Sequence, residues 1–438
     1  MAANRYLFVA LFLLVLTTQA VQATPKIQSW NTDNGARVLF VEAPELPMID
    51  IRVVFDAGSA RDGDIPGLAM MTNGMLTEGA GQWDADKIAE RVESVGASLS
   101  VNSFRDMAVV SLRSLTDKKV LDQAVETMAT VIAQPKFEQA ALNRNIQALK
   151  ISLRQEEQSP SDIASKAFYK TMYDDHPYAH PSNGTKESIP LFKREALKQF
   201  HENFYVGNNA TLAIVGAVDT EQARALAEKV IGSLPEGIKP AAVEEVSVED
   251  EIRNNRIDFP STQAHLYIGM PVLKRGDPDY FALYVGNHIL GGSGLVSKIS
   301  NEIREKRGLA YSAYSYFSPM KDAGPFMIGL QTKNSQVGEA QEVVLNTVKE
   351  FIEQGPAEEE LKKSLQNITG GFPLRVASNG KIVEYLAMIG FYELPLDYLD
   401  NFVSNVNKVT VDKIRDAFQR RVKPGQFSTV IVGQLSEG

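Results

Sequence analysis

Cysteine is absent from the 438-residue chain. That absence excludes disulfides, a lipidated cysteine anchor, a thiol nucleophile, iron–sulfur clusters and cysteine-based zinc sites. A chain of this length buries enough apolar surface to fold without such staples. Histidine is nearly as scarce, limited to His176, His180, His201, His265 and His288. There is no G-x-S-x-G elbow, no Walker loop and no G-x-G-x-x-G following a strand. Gly291-Gly-Ser-Gly294 approaches a phosphate loop, but it continues Leu-Val-Ser-Lys298 without the glycine and lysine such a loop needs. Blocks of lysine or arginine are missing too, and the net charge is −9, so phosphate backbones find no clustered positive charge and nucleic acid is not an expected partner.

Long apolar runs are confined to the N-terminus. Arg5 precedes eleven apolar residues, 6–16, and Ala20-Val-Gln-Ala23 follows with small residues suited to cleavage after Ala23. Eleven residues fall short of the roughly 20 needed to span a bilayer. Residues 1–23 therefore read as an export signal whose removal moves the net charge from −9 to −10 and leaves nothing to insert in a membrane. Export without cysteine points to a bacterial periplasm.

The clearest internal break carries Pro235, Gly237 and Pro240, then an acidic stretch from Glu244 to Glu251 without apolar periodicity. It divides the mature chain into 25–235 and 252–438, with 236–251 as linker. Landmarks recur between the halves at nearly one offset: Gly216 and Gly433 end apolar runs, Thr72-Asn-Gly-Met-Leu76 aligns with Gly286-Asn-His-Ile-Leu290, and Gly96 aligns with Gly308. Three landmarks in order argue for duplication. In each half an apolar strand (107–112, 325–330) precedes an amphipathic helix. The first presents Leu121, Ala124, Val125, Met128 and Ile132, the second Val344, Leu345, Val348 and Ile352. Strands backed by long helices imply layered α+β domains.

A zinc site on one helix needs two histidines at i, i+4 and a glutamate to activate water. His176 and His180 have that spacing, but Pro177 and Pro181 forbid a regular helix, and a turn with solvated imidazoles is the expected reading.

Several motifs together resemble the pitrilysin or insulinase-like family of inverted-motif zinc peptidases. They are Asn34-Gly-Ala-Arg-Val, Ala57-Gly-Ser-Ala-Arg, Pro66-Gly-Leu-Ala69, His176-Pro-Tyr-Ala and Leu290-Gly-Gly-Ser-Gly-Leu through Arg304-Glu-Lys-Arg-Gly-Leu-Ala-Tyr311. The likeness covers nearly all of the mature chain and is strongest to two-domain bacterial members and mitochondrial processing peptidase subunits. It implies two related halves in the LuxS/MPP-like layout, each a mixed β-sheet covered on one face by helices. Active members carry H-x-x-E-H directly after Gly-Leu-Ala; here those positions are Met70, Met71, Thr72, Asn73 and Gly74. The family's third ligand, a later glutamate, aligns with Ser152, beside Ile151. Thioether, amide, hydroxyl and glycine leave no anionic or imidazole donor for zinc. Glu78 and Asp84 lie nearby without a histidine.

The resemblance also implies a substrate-gripping Arg and Tyr, present as Arg304 and Tyr311. A guanidinium and a phenol can donate to a peptide backbone or to the oxyanion of a tetrahedral intermediate. Erased metal residues beside an intact gripping pair resemble the inactive subunit of a heterodimer whose partner brings zinc and H-x-x-E-H. The expected function is a non-catalytic subunit binding peptide for that partner. The rival reading is a stand-alone peptide-binding or scaffold protein, a homodimer without a proteolytic role.

Overall fold

The computed structural model describes residues 26–247 and 252–434; the export signal expected at residues 1–23 lies outside them. The first half forms a six-stranded sheet from β1 (Gln28–Asn31), β2 (Arg37–Glu42), β3 (Met48–Phe55), β4 (Ser98–Ser103), β5 (Ala108–Leu115) and β6 (Ala210–Gly216). Their order across the sheet is β1-β2-β6-β3-β5-β4, with only β2 and β6 parallel. The second half builds β7 (Arg253–Asp258), β8 (Gln263–Leu273), β9 (Ala310–Phe317), β10 (Gly324–Lys333) and β11 (Ser428–Gly433) into a sheet of order β7-β11-β8-β10-β9. Only β7 and β11 run parallel there. Without β1, the two sheets share one topology.

The repeated landmarks fall at matching places. Gly216 and Gly433 end β6 and β11. Gly96 and Gly308 sit at φ 65° and 62°, just before β4 and β9. Thr72 to Met75 lie on the first long helix after β3, and Leu76 opens the 3-10 turn that follows it. Gly286 and Asn287 end the first long helix after β8, and His288 to Leu290 lie in the π-helical turn that continues it.

The helices of the first half are α1 (Leu68–Met75), α2 (Ala85–Glu93), α3 (Lys118–Ala133), α4 (Gln139–Glu156), α5 (Pro160–Tyr173), α6 (Arg194–Phe204) and α7 (Thr220–Ile231). Those of the second are α8 (Tyr280–Asn287), α9 (Val337–Gln354), α10 (Glu358–Arg375), α11 (Asn379–Phe391), α12 (Tyr398–Asn407) and α13 (Val411–Arg421). Asp117 caps α3, Asp219 and Gln222 form a capping box on α7, and Gly355, at φ 73°, ends α9.

Strand alternation assigns each sheet face to a different core. Val38, Phe40, Ile51, Val53 and Ile214 pack beneath the helices of their own half. Leu39, Val41, Ala213 and Val215 point the other way and pack against α11 of the second half. Reciprocally, α5 of the first half lies on the outer face of the second sheet, where Ala164, Phe168 and Met172 meet Met327, Val430 and Val432. Each half thus covers one face of its sheet with its own helices and the other with a helix lent by its partner half. Both faces being covered, β6 and β11 are buried at every position, and their apolar runs, 212–215 and 430–432, do not alternate.

A polar hub closes the seam. The buried Asp106 carboxylate accepts from the Tyr178 hydroxyl (2.6 Å), the Lys321 N–H (2.8 Å) and the Tyr392 hydroxyl (3.0 Å), joining both halves. Buried Asp56 binds Arg61 (2.6 Å) and Lys321 Nζ (2.6 Å) beside it. Among the described residues, no helix is long and apolar enough to cross a membrane.

Candidate functional site

The five positions that the resemblance aligns with the zinc motif, 70–74, lie on α1, whose start is tightly held. Gly67 precedes it at φ 89°, and a Cβ there would come 2.8 Å from the Gly184 backbone, so only glycine fits. The buried Asp62 carboxylate accepts from the N–H groups of Gly67 and Ala69, both at 2.7 Å, as an anion placed at a helix N-terminus should. His180 Nε2 contacts the same carboxylate at 3.1 Å and the Ser59 carbonyl at 2.8 Å. Burial pushes the Asp62 carboxyl up, opposed by these hydrogen bonds.

On this helix Met70 and Gly74 share the outer face, one turn apart, and both are exposed. A Cβ on Gly74 would meet nothing within 4 Å. Met71, Thr72 and Asn73 turn inward and are buried. Asn73 is fully engaged: its Nδ2 donates to the Asn102 carbonyl of β4 (2.7 Å), and its Oδ1 accepts from the Tyr205 hydroxyl (3.1 Å). In the second half, Asn287 occupies the matching position, its Nδ2 donating to the Ser315 carbonyl of β9 (2.9 Å) while the Ser315 hydroxyl donates back (2.6 Å). At both places an asparagine pins the edge hairpin to the first helix.

Ser152, on α4, donates to Glu156 (3.1 Å), and that carboxylate is also occupied by Lys166 and by Asn183 Nδ2 (2.6 Å). Glu78 pairs with Arg144 (2.9 Å), and Asp84 caps α2 by accepting from the Lys87 N–H (2.8 Å). A thioether, a glycine and a committed amide are not zinc donors. Among the described residues, no group of three or more His, Cys, Asp or Glu side chains is placed to hold a metal ion.

The His176–His180 segment is an irregular turn, but its imidazoles are not solvated as expected. His176 Nδ1 accepts from the Tyr178 N–H (3.0 Å), which leaves Nε2 to donate to the Glu244 carbonyl (2.9 Å). His180 reaches Asp62. Both rings are tethers, one for the acidic connecting stretch and one for α1. Gly291-Gly-Ser-Gly294 does not wrap an anion: residues His288–Gly292 continue α8 as a π-helical turn, and Gly291 packs against Ser315.

Arg304 and Tyr311 are brought together. Arg304 belongs to the π-helical turn Asn301–Glu305, and its guanidinium carbon lies 5.1 Å from the Tyr311 ring centroid. Its ion pair with Glu305 is long, at 3.6 Å. Tyr311 is 85% exposed. It sits where the pairing of β9 with β10 shifts register between Ala310 and Ala313, at the sheet edge. A bulge at an edge re-aims a side chain and leaves backbone groups free to pair. The Asp62 clamp escaped the sequence reading. Its only signal is an acidic residue shortly before Pro-Gly and a helix.

Residues 37–186 match the insulinase family (Peptidase family M16), and residues 192–368 match the family's domain described as Peptidase M16 inactive domain. The crystal structure of a peptidase M16 inactive domain from Pseudomonas fluorescens is 38% identical and superposes with a TM-score of 0.91, covering 94% of this chain and 98% of that one. The chain belongs to the insulinase, or M16, peptidase family, and it is a non-catalytic member with no metal site among the described residues. Among curated relatives, the Non-peptidase homolog YmxG of Helicobacter pylori is 28% identical over 90% of this chain and 91% of its own length. The Bacillus subtilis protein named Uncharacterized zinc protease YmxG is 26% identical over 89% and 94% respectively.

Proposed function

We propose that this chain is the non-catalytic subunit of a periplasmic zinc peptidase. It pairs with a homologous subunit bearing H-x-x-E-H and holds peptide through Arg304 and Tyr311. The observation that carries this reading is a contrast within one molecule. The helix that bears the metal in active relatives is ordered, with Asn73 committed to structure, while Arg304 and Tyr311 stand together at an open edge with no carboxylate in tight contact. Binding and orientation can be supplied by groups remote from the metal. In this reading residues 1–23 direct export, 25–235 and 252–438 are the duplicated units, and 236–251 connect them.

The test mixes mature chain with a homologous H-x-x-E-H subunit and follows hydrolysis of an unstructured peptide. Hydrolysis should rise sharply on mixing. Arg304→Ala should lower kcat/KM about tenfold or more, equivalent to about 1.4 kcal/mol of transition-state stabilisation, and Tyr311→Phe should lower it less. A stable complex with activity indifferent to both substitutions would remove the peptide-holding role. A homodimer with peptide affinity and no response to any such partner would favour a stand-alone binding or scaffold protein.

A further inference from the structure

The second half contains a cavity of about 550 Å³ on the same side of its first helix as the erased motif on α1. Tyr284 and His288 line it, at positions matching Met70 and Gly74 under the offset that relates the halves. A cavity of this size suits a small molecule or the last residue or two of a peptide. Its walls are aromatic: Tyr280 and Tyr284 stack at 5.8 Å and 8°, and Tyr314 and Tyr316 stack at 6.0 Å and 7°.

The charge of the lining is one-sided. Arg275 and Arg375 line the cavity, and no aspartate or glutamate does. Many basic side chains of this acidic chain sit beside carboxylates, as Arg61, Lys321 and Arg420 do, but among the described residues neither of these guanidiniums has one within ion-pair distance. Arg275 rests 5.2 Å from the Tyr392 ring, and its Nε is buried without a hydrogen-bond partner. Arg375 ends α10, with its guanidinium carbon 5.9 Å from the Tyr284 ring. His288 adds no charge, since burial pushes its pKa down. It is also occupied, accepting from the Ser364 hydroxyl (2.8 Å) and facing Asn367 Oδ1 (3.2 Å).

We propose that this cavity binds a carboxylate carried on an aromatic or bulky apolar group, the acid on Arg275 and Arg375 and the apolar part between the tyrosine pairs. Guanidinium matches carboxylate in charge and planar geometry, and tyrosine rings supply rigid contact area at little entropic cost. A peptide C-terminus and a free aromatic acid share this chemistry. The site stands on the cavity alone and needs no peptidase partner.

The test uses the mature chain and isothermal titration with N-acetylphenylalanine and with its amide. A parallel pair of ten-residue peptides ends in phenylalanine, as free acid or amide. The acids should bind at least tenfold more tightly than the amides, and Arg375→Gln, at an exposed helix end, should abolish the difference while melting like the parent. Arg275→Gln should weaken the acids likewise. Tighter binding of the peptide acid identifies a chain terminus as ligand, whereas binding of N-acetylphenylalanine alone identifies a free acid. Equal affinity for acid and amide, no binding of either acid, or an Arg375→Gln protein that still prefers acids would overturn the proposal. Failure of the partner-activation assay would leave this result unchanged.

Discussion

Restoring the family's general base at Asn73 should damage this protein rather than reactivate it. The Asn73 amide is 1% exposed and spends its donor on the Asn102 carbonyl and its acceptor on the Tyr205 hydroxyl. Asn73→Glu removes the donor, so the Asn102 carbonyl loses its partner and faces an anion. An unsatisfied buried polar group costs about 1–3 kcal/mol. Burying an unpaired carboxylate adds to that, and losses on breaking buried charge networks run at roughly 3–5 kcal/mol. The Tyr205 hydroxyl, buried and pushed far above its ordinary pKa, stays a donor and offsets part of the loss. The expected net cost is about 3 kcal/mol. With the exchanged helices joining the halves into one cooperative unit of about 400 residues, an unfolding entropy of about 2.1 cal/mol/K per residue makes each kcal/mol worth about 1 °C in Tm, so the drop should be roughly 3–4 °C. Thermal and urea denaturation of the mature chain measure it, with Tyr205→Phe as comparator at about 1 kcal/mol. An Asn73→Glu protein within about 0.5 kcal/mol of the parent, the ordinary scatter of surface substitutions, would refute Asn73 as a structural pin.

Further outcomes follow from the same geometry. The triple change Met70→His, Asn73→Glu, Gly74→His should carry well below one zinc per chain by elemental analysis after gel filtration, if Ser152, which donates to Glu156, stands at the third-ligand position as the family resemblance implies. Gly390→Ala should destabilise by about 1–3 kcal/mol, since its Cβ would meet Thr211 Cγ2 at 2.5 Å and Leu39 Cδ1 at 2.6 Å where α11 crosses the first sheet; the urea midpoint reads this directly. Phe168→Ala on the lent helix α5 should cost about 3–5 kcal/mol and still give a single transition in calorimetry if the exchanged helices make the halves one unit. Burial lowers the pKa of His201, His265 and His288, so the unfolded chain binds protons that the folded chain refuses. Stability should therefore be full above about pH 6.5 and fall as pH drops below it, and His201→Gln should flatten part of that slope between pH 7.5 and 5.5.

Local physics made the elements legible. The apolar stripe of α3 and the run of β6 are patterns that only one arrangement buries, and glycines 216 and 433 mark equivalent strand ends. The erased zinc site was legible because it rests on side-chain identity: no fold gives glycine a ligand atom. The exchange of α5 and α11 was not legible, since a helix stripe declares that it is buried without saying beneath which sheet. The histidine turn misled for a related reason. Proline spacing excludes a helix, but nothing local reveals that Glu244 and Asp62 will approach from far along the chain. The tyrosine-lined cavity was hidden too, because Arg275, Tyr284, Tyr314 and Arg375 converge from four separate elements.

Loss of a metal ordinarily frees the elements that its ligands held together. Here α1 keeps its place by other means. Asp62 with His180 fixes its start, Gly67 against Gly184 sets its distance, and Asn73 ties it to β4. The last of these is the device the second half uses without any motif: Asn287 donates to Ser315 of β9 just as Asn73 donates to Asn102 of β4. The first half has the same hydrogen bond that holds its duplicate. Selection for catalysis would keep a carboxylate at residue 73 whatever it cost in stability. An amide that satisfies both neighbours is what remains when the position serves only the scaffold, and a scaffold held this firmly is useful for the surfaces it presents.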